Sequence, residues 1–171
     1  MLYDNTMRRR VWVIRHAHSQ ANIRSRYVAL GKRNARLTGE GRKKARQTSR
    51  LFPTKYGITP HNTPVAVSQL RRTQQTAEVL GFKKMKSYPQ LNEVELGLRP
   101  GETHRLLANH DLPDIVIEAA EKLLRKPPPE QVWVTHGLLV AGLCAIRRTL
   151  IQLPREEVPV PFTCEVRLVE I

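Results

Sequence analysis

Three short apolar runs in this chain each stop at residues able to do chemistry. Val11-Trp12-Val13-Ile14 runs into Arg15-His16, and Pro64-Val65-Ala66-Val67 into Ser68-Gln69-Leu70-Arg71-Arg72. Gln131-Val132-Trp133-Val134 runs into Thr135-His136-Gly137. Runs of this length and β-rich composition read as buried strands ending at polar loops. In an open α/β sheet the carboxyl ends of parallel strands face one crevice. If the three strands are neighbours, two histidines and several arginines meet there. Arg15 and Arg72 each offer a permanently charged planar fork, and Ser19 and Asn22 add neutral donors. Such a set suits a phosphate group.

By these residues the chain resembles the histidine phosphatase superfamily, the phosphoglycerate mutase-like family. The Arg-His-Gly pattern followed by Ser/Thr and Asn is similar to Arg15-His16-Ala17-His18-Ser19-Gln20-Ala21-Asn22. The Ser-x-Leu-x-Arg-x-x-Gln-Thr-Ala pattern matches Ser68 to Ala77, a register that makes Arg72 rather than Arg71 the phosphate-site arginine. Leu91-Asn92-Glu93 resembles the segment carrying the general acid, and Thr135-His136-Gly137 the second-histidine motif. Leu37-Thr38 with Gly41 and Ala45 is similar to a further family stretch, with Lys44 where Gln is common. The motifs fall in family order over residues 11 to 137. Two departures stand out. Ala17 replaces the commonest glycine, and no Trp-Glu-Gly follows Glu93.

The resemblance implies a metal-independent phosphatase without a cofactor, acting on small phosphorylated substrates. His16 would attack phosphorus and carry the phosphohistidine, which splits one hard displacement into two easier ones. One ring nitrogen must then be bare, with its tautomer set by a hydrogen bond at the other. Glu93 would protonate the leaving oxygen and later deprotonate water, a two-way role that requires a raised pKa. His136, with Gly137 opening an anion-favouring helix N-terminus, would join Arg15, Ser19, Asn22 and Arg72 around the phosphate. Glu95, two residues beyond Glu93 and on the same face of an extended segment, is the alternative acid. His18 reads as rim, and His104 and His110 as solvent-facing.

A lone Arg-His pair after a strand is ordinarily a surface pair, and a lone histidine at a strand end ordinarily sits satisfied in a core. Five motifs in family order outweigh both readings. Within the family the rivals are a phosphoglycerate mutase and a protein phosphohistidine phosphatase. The forty-two residues between Glu93 and His136 leave little room for mutase segments, and members of the second group generally lack an acid at the Glu93 position. A polyanion-binding module without activity is the non-enzymatic rival, motivated by charge and by Ala17. Binding alone, however, does not need His16.

The charge is unusual. The chain has 171 residues and a formal net charge of +14, and from Arg24 to Arg50 ten basic residues face the single acid Glu40. Such a field attracts polyanions. Only Tyr27 and Phe52 accompany it, so no base-stacking platform is indicated. A solvated helix face is the plainer reading, with weak polyanion binding through 24–50 as the alternative. Cys144 and Cys164 lack the count or spacing of a zinc site or disulfide framework. They read as core residues, Cys144 in a helix and Cys164 in a strand. No membrane span or signal peptide is apparent, and a cytoplasmic protein is expected. The sequence leaves oligomeric state and substrate open.

These residues need a scaffold. The alternation of β-rich runs and helical stretches predicts an α/β fold, a three-layer sandwich with a central, mostly parallel sheet flanked by helices. Length predicts one domain over 1–171, with 1–7 a loose leader. Strands are expected at about 9–14, 64–68, 85–88 and 131–135, and an alternating final strand at 163–171. Helices are expected from Thr38, as N-cap, to about Leu51 with Pro53 beyond its end, and at about 72–80, 113–125 and 138–151. Gly81 should close the second of these. Pro127-Pro128-Pro129 should stop the third.

Overall fold

The computed structural model describes residues 9–23, 35–96, 112–150 and 163–171, the last four residues of the 112–150 span by backbone only. The leader 1–7, most of the basic 24–36 stretch, Gly97 to Gly101, His104 and His110 lie outside the described residues.

Strand β1 is Arg10–Arg15, β2 Pro64–Val67, β3 Lys84–Ser87, β4 Val132–Thr135 and β5 Val166–Glu170. They form one sheet in the order β3-β2-β4-β1-β5. The first four are parallel, and β5 pairs antiparallel with β1 at the edge. Arg15 lies opposite Thr135 and Val67 opposite Val134, so β1, β2 and β4 end level with one another. The strands expected to be neighbours are neighbours.

The helices are α1 Gly39–Ser49, α2 Arg71–Leu80, α3 Asp114–Arg125 and α4 Gly137–Leu150. Side chains alternate across a strand, and the sheet uses both faces. On one, Ile14, Val65, Val67, Val132 and Val134 pack with Ala45 of α1 and Ala77 and Leu80 of α2. On the other, Val11, Val13, Ala66 and Trp133 pack with Ala120 and Leu123 of α3 and Leu139 and Leu143 of α4. That is the expected three-layer sandwich. Gly142 is where α4 meets α3, since a Cβ there would lie 2.8 Å from the Val116 carbonyl oxygen.

The local signals hold where side chains act on their own backbone. The Thr38 hydroxyl accepts from the Gly41 amide and caps α1, and Gly81 closes α2 at φ +97°. Helix α1 ends at Ser49 with Pro53 beyond it, as expected, and a separate π-helical turn, Phe52–Tyr56, follows with Pro53 near its start, where a missing N–H costs nothing. Phe52 from this turn is fully buried against Phe82, and that burial holds the turn. Cys164 is not in the final strand. It sits in a turn before β5 at φ +63°, alone in the left-handed region among described non-glycine residues.

Candidate active site

The level ends of β1, β2 and β4 bring the chemically able residues together. His16 follows β1, and its amide donates to the Thr135 carbonyl at the end of β4 (2.9 Å). The ring of His16 lies 5.1 Å, centroid to centroid, from that of His136. Arg72 enters between them from the first turn of α2, and its neighbour Arg71 points to solvent. Arg72 Nε donates to His16 Nε2 (3.2 Å) and Nη2 to His136 Nδ1 (3.1 Å). All three side chains are 4 % exposed or less.

Donor chemistry assigns the tautomers. A guanidinium has only donors, so His16 Nε2 and His136 Nδ1 both present lone pairs to Arg72. The remaining proton of His16 sits on Nδ1, which donates to the Ala17 carbonyl (2.8 Å). Burial pushes both histidines well below their ordinary pKa, and the Arg72 charge pushes in the same direction. For His16 the Ala17 carbonyl opposes this, with Arg15 and His18 adding to it. Both rings are therefore neutral in the resting protein.

The loop that carries His16 is pinned from every side. The Ala17 amide donates to the Thr76 hydroxyl (3.0 Å), which donates to the Arg72 carbonyl (2.6 Å). The Thr38 amide donates to the His18 carbonyl (3.0 Å). Gly41 lets α1 approach that carbonyl, since a Cβ at Gly41 would stand 2.0 Å from it. From the turn before β5 the Cys164 amide donates to the carbonyls of Arg15 (3.0 Å) and His16 (3.3 Å). Ala17 is fully buried and, unlike Cys164, does not take a positive φ, so this loop has no need of glycine there.

Of the other expected residues, Arg15 and Glu93 act on this centre. Arg15 ends β1. Burial lowers its pKa, with the charges of Glu93 and Glu165 opposing that. Ser19 is buried, and its hydroxyl and amide both donate to Asn22 Oδ1 (3.0 and 2.9 Å). With Oδ1 so taken, the donor end of Asn22 is its amide nitrogen. Gly137 is the first residue of α4. Glu93 Oε2 lies 3.6 Å from His136 Nδ1, with 27 % of its side chain exposed, whereas Glu95 is exposed. The Glu93 segment is tied down by Thr135 Oγ1 donating to the Leu91 carbonyl (2.7 Å) and by Gln69 N donating to Asn92 Oδ1 (2.8 Å). His18 is half-buried and pairs with the Thr38 hydroxyl (2.9 Å).

In the sequence, Ser68, Thr73 and Thr76 stand inside the Ser68 to Ala77 motif, which by itself assigns them no task. Their shared signal is a set of hydroxyls around the start of α2, but partners that are distant in sequence decide what each hydroxyl does. Cys164 acts through its backbone and left no signal at all.

His16, Glu93 and His136 bring ligand atoms within 4.8 Å of one another, but the donor set fits a cation poorly. Arg72 already lies on both histidine lone pairs, and Arg15 adds a second fixed positive charge nearby. Two guanidiniums repel a metal ion and attract a phosphate. The charges of Arg15 and Arg72 beside the two histidines suit an anion.

A family model, the histidine phosphatase superfamily (branch 1), matches residues 11–115. No curated protein matches the chain. Among solved structures, the mycobacterial glucosyl-3-phosphoglycerate phosphatase Rv2419c complexed with VO3 is similar, with 21 % identity and a TM-score of 0.63 over 94 % of this chain and 90 % of that one. TTHB049 from Thermus thermophilus has 24 % identity and a TM-score of 0.63 over 94 % and 92 %. A candidate alpha-ribazole-5'-P phosphatase from Escherichia coli has 21 % identity and a TM-score of 0.58 over 95 % and 97 %. These likenesses establish the fold.

Proposed function

The chain belongs to the histidine phosphatase superfamily and is a phosphomonoester hydrolase, and we propose that it splits small phosphorylated substrates through a phosphohistidine on His16, without metal. The observation that carries this reading is the His16 ring. Its Nδ1 proton is committed to the Ala17 carbonyl, and a bare Nε2 is turned to Arg72 in a buried, cationic pocket.

Phosphoryl transfer is mostly positioning and electrostatics. A phosphate dianion entering the pocket draws Arg72 off the two histidines and onto its own oxygens, with Arg15, the Asn22 amide and the Gly137 helix N-terminus as further donors. His16 Nε2 is then in line to attack phosphorus. The P–N bond forms as the P–O bond to the leaving group breaks, and Glu93 gives its proton to the departing oxygen. Water replaces the leaving group, and Glu93 takes its proton as the oxygen attacks phosphorus. The P–N bond breaks, and His16 returns neutral beside inorganic phosphate. Ser19 acts here through Asn22, whose acceptor oxygen it occupies.

The short span between Glu93 and His136 favours a phosphatase over a mutase. The retained nucleophile argues against a pure binding module. The same reading takes the whole chain as one domain. The glucosyl-3-phosphoglycerate phosphatase among similar structures suggests phosphorylated sugar acids and sugars as the first substrates to try. Purified protein should release phosphate from one or more members of a phosphomonoester panel in strong chelator, with vanadate inhibiting. Acid-labile, base-stable label should appear on the protein after incubation with a labelled substrate and quenching. Activity that dies in chelator and returns with a divalent ion would overturn this mechanism, and bisphosphate-dependent isomerisation of phosphoglycerate would overturn the choice of phosphatase.

A further inference from the structure

His136 is held from behind by a chain of hydroxyls that the mechanism above does not use. Its Nε2 lies 2.9 Å from Ser68 Oγ, and Ser68 Oγ lies 2.8 Å from Thr73 Oγ1. The Leu70 amide also donates to Ser68 Oγ (3.1 Å). Thr73 Oγ1 lies 2.7 Å from the Leu70 carbonyl, which can only accept. All of these groups are buried, and Ser68, Thr73 and His136 have no exposed surface.

The direction of every bond in this chain follows from its two ends. At one end Arg72 Nη2 can only donate, so His136 Nδ1 is bare and the ring proton of a neutral imidazole is on Nε2. His136 Nε2 therefore donates to Ser68 Oγ. At the other end, Thr73 Oγ1 spends its single proton on the Leu70 carbonyl and can only accept from Ser68. Ser68 then accepts from His136 and from the Leu70 amide and donates to Thr73. Thr73 Oγ1 also lies 3.2 Å from the Ser68 carbonyl, which likewise can only accept, so the direction of the chain is unchanged.

We propose that Ser68 is a positioning residue for the phosphate site: its hydroxyl accepts the Nε2 proton of His136 and so turns the Nδ1 edge of that ring toward the phosphate. The inference rests on the phosphatase reading for its purpose but not for its geometry. The two histidines are thus held as opposite tautomers. His16 keeps its proton on Nδ1 and shows Nε2, whereas His136 keeps its proton on Nε2 and shows Nδ1. A carbonyl fixes the first and a hydroxyl the second. If Nδ1 gains a proton when phosphate occupies the pocket, both ring nitrogens are donors and Nε2 still donates to Ser68 Oγ, so the ring keeps its place. The charged and titratable groups facing His136 are Arg72 from α2, Arg15 and His16 from the end of β1, and Glu93 from the loop beyond β3.

Long-range proton–nitrogen NMR of the phosphate-free protein tests the geometry without catalysis, with His136 assigned by its loss in His136→Gln. His136 should show a protonated Nε2 and a bare Nδ1, with His16 the reverse. A proton on Nδ1 of His136 would overturn the proposal. Ser68→Ala should remove the hydrogen-bonded shift of the His136 Nε2 proton and broaden the signals of that ring, with Nδ1 still bare against Arg72, and should leave the signature of His16 intact. It should lower kcat/KM roughly tenfold, equally for alkyl and nitrophenyl phosphates because the leaving group is not involved. Ser68→Cys, close in size but a weak acceptor, should behave like Ser68→Ala and stands in for it if the smaller side chain fails to fold. Unchanged spectra and kinetics in the folded variants would also overturn the proposal. If the tautomers are as stated but no phosphomonoester is cleaved, the phosphatase reading fails and the Ser68 assignment survives.

Discussion

The site has a floor and a rim, and they are built in opposite ways. The floor is His16, Arg72 and His136, each nearly or wholly buried and each bonded to another member or to a neighbouring backbone. It rests on the ends of the central strands β1 and β4 and the first turn of α2. The rim is Glu93 with Glu95 beyond it, on an irregular segment after the edge strand β3. Glu93 is about a quarter exposed, and its nearest histidine nitrogen is 3.6 Å away. The difference matches the tasks proposed for these residues. A nucleophile and its anion clamp gain from a dry, rigid setting in which charges act strongly and do not reorganise. A residue that must give a proton to one oxygen and take one from another gains from reach and from access to water.

The sharpest test of the floor is removal of the nucleophile. His16→Ala should bring turnover to background with the fold intact by circular dichroism, because the ring contacts Arg72, His136 and the Ala17 carbonyl rather than the apolar clusters. More than trace activity in that variant would dismantle the division between floor and rim.

The rim is tested by choice of leaving group. A general acid helps an alkoxide to leave and does little for nitrophenolate. Glu93→Gln should therefore slow hydrolysis of alkyl phosphates by about 10²–10⁴-fold and that of nitrophenyl phosphate far less. Glu95→Gln should be mild on both, as its exposed position suggests. Equal effects of the two substitutions would move the acid role or remove it.

Arg72→Lys probes the floor without touching the nucleophile. One ammonium cannot reach both histidines or grip two phosphate oxygens as a planar fork does. Turnover should fall by about 10²–10³-fold. Unlike the Glu93 effect, this loss should be the same for alkyl and nitrophenyl substrates. A leaving-group dependence like that of Glu93→Gln would mean the two regions act as one.

The smallest expected effect is on stability. The folded protein holds His16 and His136 well below their ordinary pKa, while the unfolded chain titrates them near about 6.5. Below that pH the unfolded state binds more protons than the folded one, so acid favours unfolding. The melting temperature should decline as pH falls from 7.5 toward 5. His136→Asn should decline less steeply over the same range. Parallel curves would mean that the floor is not where the protons are withheld.

Much of the floor was legible in the residue order, because local physics wrote it there. Short β-rich runs that stop at Arg15-His16 and Thr135-His136 can serve as buried strands with polar ends, and Thr38 and Gly81 act on backbone within a few residues of themselves. The motif register separated Arg72 from Arg71 before any burial was known. The remainder depended on contacts between distant segments. Nothing local says that β4 inserts between β2 and β1, yet that order sets His136 beside His16 with room for one guanidinium. The π-helical turn at Pro53 exists because Phe52 has a partner in Phe82. The tautomers of the two histidines are decided by an arginine 56 and 64 residues away from them, and by Ser68, 68 residues from His136. A side chain's type states what it can donate or accept. Which of its atoms does so is settled by the neighbours that folding brings to it.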